Sequence, residues 1–180
     1  MKTKLNFNIA ILLLISLFSS HIFSQSEEIE MKNSDLERLN REGNFIWWQN
    51  NQKFNGIADF LVERKDVNSG STKALKVNVK NLADKGWGVS SSFNYNYSAT
   101  QGDEITIQFY AKGSGTMKVV TSNEVQGSFQ GKNFFLNEEW TKYTHTFSIQ
   151  NESDKNKVKF WYLDLGVFII DDIKVFKESF

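Results

Sequence analysis

From Phe45 onward the chain places apolar side chains at every second position, in short runs that each stop at a cluster of Gly, Asn, Asp or Ser. A period of two marks a strand with one buried face, whereas a helix would repeat every three to four residues. Ala74-Leu75-Lys76-Val77-Asn78-Val79-Lys80 alternates in this way. Over residues 104–112, Ile105, Ile107 and Phe109 face one way and Thr106, Gln108 and Tyr110 the other; residues 143–149 repeat the pattern. Further strands are expected at 58–64, 87–93, 117–120, 134–136, 158–165 and 166–176. Asn68-Ser69-Gly70-Ser71, Gln101-Gly102-Asp103 and Gly113-Ser114-Gly115 supply turns. Because the chain has no proline, Gly, Asn, Asp and Ser must make all of them. About nine strands in series, with no long helix, no internal repeat and no second domain, predict an all-β antiparallel two-sheet β-sandwich closed as a jelly roll. A length of 180 residues is enough for one such domain with a real core.

The last strand holds the most costly residue. Ile169, Asp171, Ile173 and Val175 share one parity over residues 166–176. A carboxylate on an apolar face must be neutralised or satisfied. Either a hard cation such as calcium, which favours carboxylate and backbone oxygens, sits beside Asp171, or backbone N–H groups hold it at the edge of the core, or a bulge turns it outward.

Met1-Lys2-Thr3-Lys4, the apolar run over residues 9–18, and the small residues Ser19, Ser20 and Ser24 form the pattern of a secretory signal peptide spanning residues 1–24. The apolar run is short for a membrane span. The expected product is exported: secreted, periplasmic or at the cell surface, with no membrane attachment after cleavage. Residues 25–42 are mostly polar and read as a mobile N-terminal leader ahead of a domain over residues 43–180.

Twenty-one Lys and Arg balance 21 Asp and Glu, which argues against nucleic acid as a partner. The absence of cysteine excludes a disulfide framework, a thiolate zinc site and a thiol nucleophile. Catalysis finds little support. His145 shares a face with Tyr143, Phe147 and Ile149 and reads as a buried structural histidine. Glycosidases need two facing carboxylates. Glu138-Glu139 and Asp171-Asp172 are adjacent pairs whose side chains diverge on a strand. Lys155-Asn156-Lys157 reads as a solvated turn.

A set of ordered pieces carries a family resemblance. They are Gly43-Asn44-Phe45 with Trp47 and Trp48, residues 68–77, Trp87-Gly88-Val89, Gly102-Asp103, residues 109–112, Glu139-Trp140-Thr141-Lys142-Tyr143 with Thr146-Phe147, and Ile170-Asp171-Asp172-Ile173. Together these resemble the carbohydrate-binding modules of the family 4, 9, 16 and 22 group, with the galactose-binding-like jelly-roll fold, over residues 43–176. The resemblance implies a structural calcium away from the sugar, for which Asp171, Asp172, Asn44 and the Ser69-Gly70 carbonyls are the matching positions. It also implies a sugar site on a concave sheet face or at loop tips. There aromatic rings stack on sugar C–H faces and polar side chains bind hydroxyls.

Tyr110 and Gln108 point away from the Ile105–Phe109 face and are candidates for that site. Tyr162 and Asp164 join them if Trp161, Leu163 and Leu165 are core. Trp47 and Trp48 alternate, so one should be buried and the other exposed. Trp87 is a platform or, by its parity with Val89, a core residue. The expected function is that of a secreted, non-catalytic protein that binds poly- or oligosaccharide, with a carbohydrate-active enzyme as a possible partner. The alternatives are a structural or adhesion sandwich without a sugar site, or a small polysaccharide-active enzyme.

Overall fold

A computed structural model describes residues 26–94, 96–123 and 127–180; the expected signal peptide lies outside the described residues. Among these, the chain forms twelve strands and no helix. In order they are β1 (Ser26–Ile29), β2 (Trp48–Gln52), β3 (Ile57–Glu63), β4 (Ala74–Asn81), β5 (Val89–Phe93) and β6 (Tyr97–Ala99), then β7 (Glu104–Gly113), β8 (Gly115–Asn123), β9 (Gly127–Leu136), β10 (Thr141–Ser148), β11 (Ser153–Tyr162) and β12 (Gly166–Glu178). The three strands that alternation does not reveal, β1, β2 and β6, are short and largely polar.

The strands form two antiparallel sheets. One runs β10-β7-β12-β4-β3 with β1 added to β12; the other runs β2-β5-β11-β8-β9 with β6 added to β11. Ile105, Ile107 and Phe109 of β7 meet Val158 and Phe160 of β11, Met117 and Val119 of β8, and Val77 of β4 in one buried cluster. The all-β sandwich read from the period-two pattern is therefore the fold observed. Gly113 is needed where β7 passes β12: a Cβ there would lie 2.0 Å from the Val167 carbonyl oxygen.

Residues 25–42 are not a free leader where they are described. β1 pairs with the end of β12, Ser26 opposite Glu178 and Ile29 opposite Val175. Met31 and Leu36 are buried in the core. The side chain of the buried Asn33 replaces missing secondary structure: Nδ2 donates to the Arg38 and Ile46 carbonyls, at 3.0 and 2.8 Å, and Oδ1 accepts the Arg38 N–H at 2.7 Å. Two apolar anchors and one amide with three hydrogen bonds hold a stretch that looks too polar to fold.

The last strand departs from strict alternation. Asp171 pairs with Tyr110 and Lys174 with Gln108, so Asp172 and Ile173 together oppose the single residue Phe109. This is a β-bulge, and Asp172 takes φ 46° to make it. Phe168 and Ile170 face the core before the bulge, Ile173 and Val175 after it. Asp171 therefore shares the outer face with Ile169 and its partner Tyr110, not the inner face with Ile173 and Val175.

Candidate functional site

The outer face of the β2-β5-β11-β8-β9 sheet carries an open cleft of about 590 Å³, within the size range of small-ligand sites. Its floor is made by register. Gln49 on β2 pairs with Ser92 on β5, which pairs with Lys159 on β11; Asn51, Ser90 and Trp161 form the next rung. All six line the cleft. The middle strand carries only serines at these positions, so it leaves a trough between the longer side chains of its neighbours. At one end the loops add Trp87 and Lys53, at the other Asn94 beside Lys157.

Trp161 and Trp87 are held rather than free. The Lys118 ammonium lies 5.4 Å from the centroid of the Trp161 ring, a cation–π distance. Trp87 meets Phe54 edge to face at 4.6 Å, and the Lys85 ammonium lies 5.8 Å from its ring centroid. Gly88 makes this end possible. Its carbonyl accepts the Lys53 N–H at 2.9 Å, and a Cβ on Gly88 would lie 2.3 Å from Ala83 Cβ and 2.6 Å from the Lys53 carbonyl oxygen. The two loops bearing Trp87 and Lys53 can close together only on a residue without a side chain. Trp87 is 40% exposed, because it precedes the strand in a turn and Val89 parity does not extend to it.

The sequence candidates divide between this cleft and other places. Of the seven ligand candidates only Trp87 lines it. Trp47, 44% exposed at φ 69°, stands beside its Asn94 end, where its carbonyl accepts the Asn94 N–H at 2.7 Å. Trp48 is half-buried and packs on the core, 5.3 Å from Phe93 and 5.9 Å from Phe160 between ring centroids. As alternation requires, the pair splits into one exposed and one packed indole.

Gln108 and Tyr110 lie on the outer face of the opposite sheet, half-buried and remote from the cleft. Tyr162 is a correction: it is 2% exposed and in the core, and burial pushes its phenol well above the ordinary range. Val158 and Phe160 fix the inward parity of β11, so Tyr162 points in and Trp161 out, the reverse of the expectation. Asp164 caps the β8 hairpin, its Oδ2 accepting the Thr116 N–H at 2.7 Å. Lys155-Asn156-Lys157 is no solvated turn: Asn156 is fully buried in β11 and Lys157 lines the cleft. The missed site residues had a signal, the serine run Ser90-Ser91-Ser92 and the alternation of Lys157 and Lys159 with Val158 and Phe160.

The metal candidates come together only in part. Asp171 is fully buried. Its Oδ2 accepts the Asn68 N–H at 3.3 Å and its Oδ1 the Asp172 N–H at 2.8 Å, with the Ser71 hydroxyl nearby as a further partner. Burial pushes its carboxyl up to about 6 despite these bonds. Ser69 lies in the same turn, which the Ser71 N–H closes on the Asn68 carbonyl at 3.0 Å. Asn44 belongs to a different turn, its N–H donating to Asn40 Oδ1 at 2.8 Å. Among the described residues, no group of three or more His, Cys, Asp or Glu side chains forms a metal cluster.

His145 is buried, its Nε2 bonded to the Gln130 carbonyl, and burial lowers its pKa from the ordinary histidine value. It faces the interior beside Phe147 and not the cleft.

No family model matches the chain, and no curated protein matches it. Its fold does match solved structures. It is similar to a family 4 carbohydrate-binding module, at 18% identity and TM-score 0.59, over 83% of this chain and 100% of that one. It is similar to the family 11 carbohydrate-binding module from Clostridium thermocellum in complex with a β-1,3-1,4-mixed-linked tetrasaccharide, at 13% identity and TM-score 0.53, over 83% and 94%. It also matches the enzymatically active domain of tailspike protein 4 of bacteriophage CBA120, at 14% identity and TM-score 0.60 over 81% of this chain; the chain spans about a fifth (21%) of that one. At these identities the likeness is one of fold: the chain has the jelly-roll sandwich of carbohydrate-binding modules.

Proposed function

We propose that this chain is a non-catalytic sugar-binding module that takes a poly- or oligosaccharide into the cleft between β2, β5 and β11. The observation that carries the reading is the pairing of two propped indoles, Trp87 and Trp161, with a floor of serines and amides in one open trough. Flat rings cover the apolar C–H faces of a sugar, and Gln49, Asn51, Asn94 and the serine hydroxyls both donate to and accept from its hydroxyls. An open trough suits a chain that enters sideways and runs past both ends. The fold shared with modules of families 4 and 11 supports the same reading. Among the described residues no carboxylate lines the cleft, so an acid–base pair of the kind glycosidases use has no carrier there. Export through residues 1–24 is part of the proposal, since a polysaccharide ligand lies outside the cell.

A structural calcium beside Asp171 is proposed as well, on the sheet opposite the cleft. In its favour, Asp171 is a fully buried carboxylate with no ion-pair partner among the described residues, in contact with the turn that carries Ser69. Such an ion would supply charge compensation to the fold and no contact to the sugar.

The test is an array of purified glycans followed by calorimetry on Trp87→Ala and Trp161→Ala. Each substitution is expected to weaken binding by roughly 1–3 kcal/mol, the range of an aromatic hot spot, with the melting temperature little changed. Tyr110→Ala, on the other sheet, is expected to bind as the parent does. Parent-like binding by both tryptophan variants would remove the cleft as the sugar site.

A further inference from the structure

The charge in the cleft is one-sided. Lys53, Lys157 and Lys159 line it, and among the described residues no Asp or Glu does. Four lysines elsewhere have a carboxylate partner, Lys73 with Glu37, Lys76 with Glu63, Lys80 with Asp59 and Lys112 with Asp66, at 2.6–3.1 Å. No such pair forms at the three cleft lysines among the described residues. Lys157 and Lys159 are two apart on β11 and point the same way, about 7 Å between their backbone positions. Two uncompensated like charges at that spacing oppose one another. Burial, and after it the charge of Lys157, lowers the Lys159 pKa from the ordinary lysine value.

A neutral sugar offers hydroxyls that both donate and accept, and the amides and serines of the floor already answer both. An ammonium can only donate. Three donor-only, positively charged groups along one wall and end of the trough answer to acceptor-only, negatively charged groups on the ligand.

We infer that the glycan taken by this cleft is anionic, carrying carboxylate or sulfate groups that Lys157, Lys159 and Lys53 bind while Trp161 and Trp87 cover its sugar rings. This inference rests on the proposed sugar-binding reading. The overall neutral chain then has a local charge where the ligand lies and none that would draw polyanions to its whole surface.

The experiment is calorimetric titration of the purified protein with two matched pairs, oligogalacturonate against its methyl ester and a sulfated galactan oligosaccharide against its desulfated form, with neutral xylo- and cello-oligosaccharides alongside. One acidic member is expected to bind and its neutralised partner to bind at least about tenfold more weakly, as loss of a charge-assisted hydrogen bond predicts. Which pair responds tells carboxylate from sulfate. Lys157→Gln and Lys159→Gln, each checked for an unchanged melting curve, are expected to lose about tenfold or more on the acidic ligand. Raising salt from about 0.01 to about 1 M shortens the screening length from about 30 to about 3 Å and should weaken that binding further. If neutral members bind as tightly as acidic ones and the lysine variants bind like the parent, the anionic inference is overturned and the sugar-binding cleft stands. If no glycan of either kind binds the folded protein, the cleft reading falls and this inference with it.

Discussion

The Tyr162 hydroxyl donates a hydrogen bond to Ser91 Oγ at 3.0 Å, between two fully buried positions on neighbouring strands. That bond marks the phase of the candidate site. With Tyr162 pointing inward on β11, Lys157, Lys159 and Trp161 must point outward; with Ser91 inward on β5, Ser90 and Ser92 form the floor. Ser91 in turn donates to Asn50 Oδ1 at 2.8 Å, which turns Gln49 and Asn51 on β2 to the same outer face.

Tyr162→Phe separates this structural role from a role in binding. The ring keeps its packing, 5.2 Å from Phe168 between centroids, while Ser91 keeps Asn50 as partner. The expected cost is about 1 kcal/mol, the net value of one buried hydrogen bond, read as a lower denaturant midpoint at unchanged slope. Glycan affinity should not change. A variant of full stability that no longer binds would place the phenol in the sugar site.

The alternation that exposes the sandwich is least informative where the site lies. Ile105, Ile107 and Phe109 are separated by polar residues, so the inward face of β7 is legible. Trp161-Tyr162-Leu163 is a run of large apolar residues, and either parity satisfies it locally. Only the preceding Val158 and Phe160, each flanked by lysine, break the tie, and they put Trp161 outside. Ile169 to Val175 is ambiguous for another reason: a bulge adds a residue and exchanges the faces beyond it, and its one trace in a pattern of period two is a carboxylate on the apolar parity, which a cation or backbone donors would explain as well. Residues 26–42 hide their docking because Met31 and Leu36 are sparse and Asn33, which holds the segment by three side-chain bonds, is indistinguishable in sequence from a turn residue.

Asp171 gives the test of the proposed ion. A ligand that binds only the folded state raises its stability by mass action, so calcium should raise the melting temperature of the parent and a chelator should lower it. Asp171→Ala should melt at one temperature in both. Because the carboxylate lies on the sheet opposite the cleft, chelation at a temperature where the fold persists should leave glycan affinity unaltered. If purified protein contains no metal and melts identically with calcium and with chelator, the Asn68 and Asp172 N–H groups and the Ser71 hydroxyl hold Asp171 without an ion.

Glu37 ties the docked N-terminal segment to the turn that precedes β4, and its titration should be visible in stability. Its carboxylate accepts the Thr72 N–H at 2.6 Å and the Lys73 N–H at 3.2 Å, bonds the Thr72 hydroxyl, and pairs with the Lys73 ammonium at 3.1 Å. Burial, the largest single influence, raises its pKa, but the bonds from Thr72 and Lys73 together outweigh it and hold the group down at about 2 against an ordinary 4.5. The folded state therefore binds this proton less readily than the unfolded chain. The stabilisation is fully present above pH 4.5 and is lost as pH falls toward 2. The side chain is 27% exposed, so solvent screening reduces the contribution to about 1–2 kcal/mol. Glu37→Gln should lower stability by that amount at neutral pH and should flatten this part of the acid limb, measured by denaturant titration from pH 7 to acid. It should also speed amide exchange in residues 31–38, because their main link to the Thr72-Lys73 turn is weakened. Parallel stability–pH curves for the variant and the parent would show that Glu37 adds nothing to the hold that β1, Met31, Leu36 and Asn33 have on the N-terminal segment.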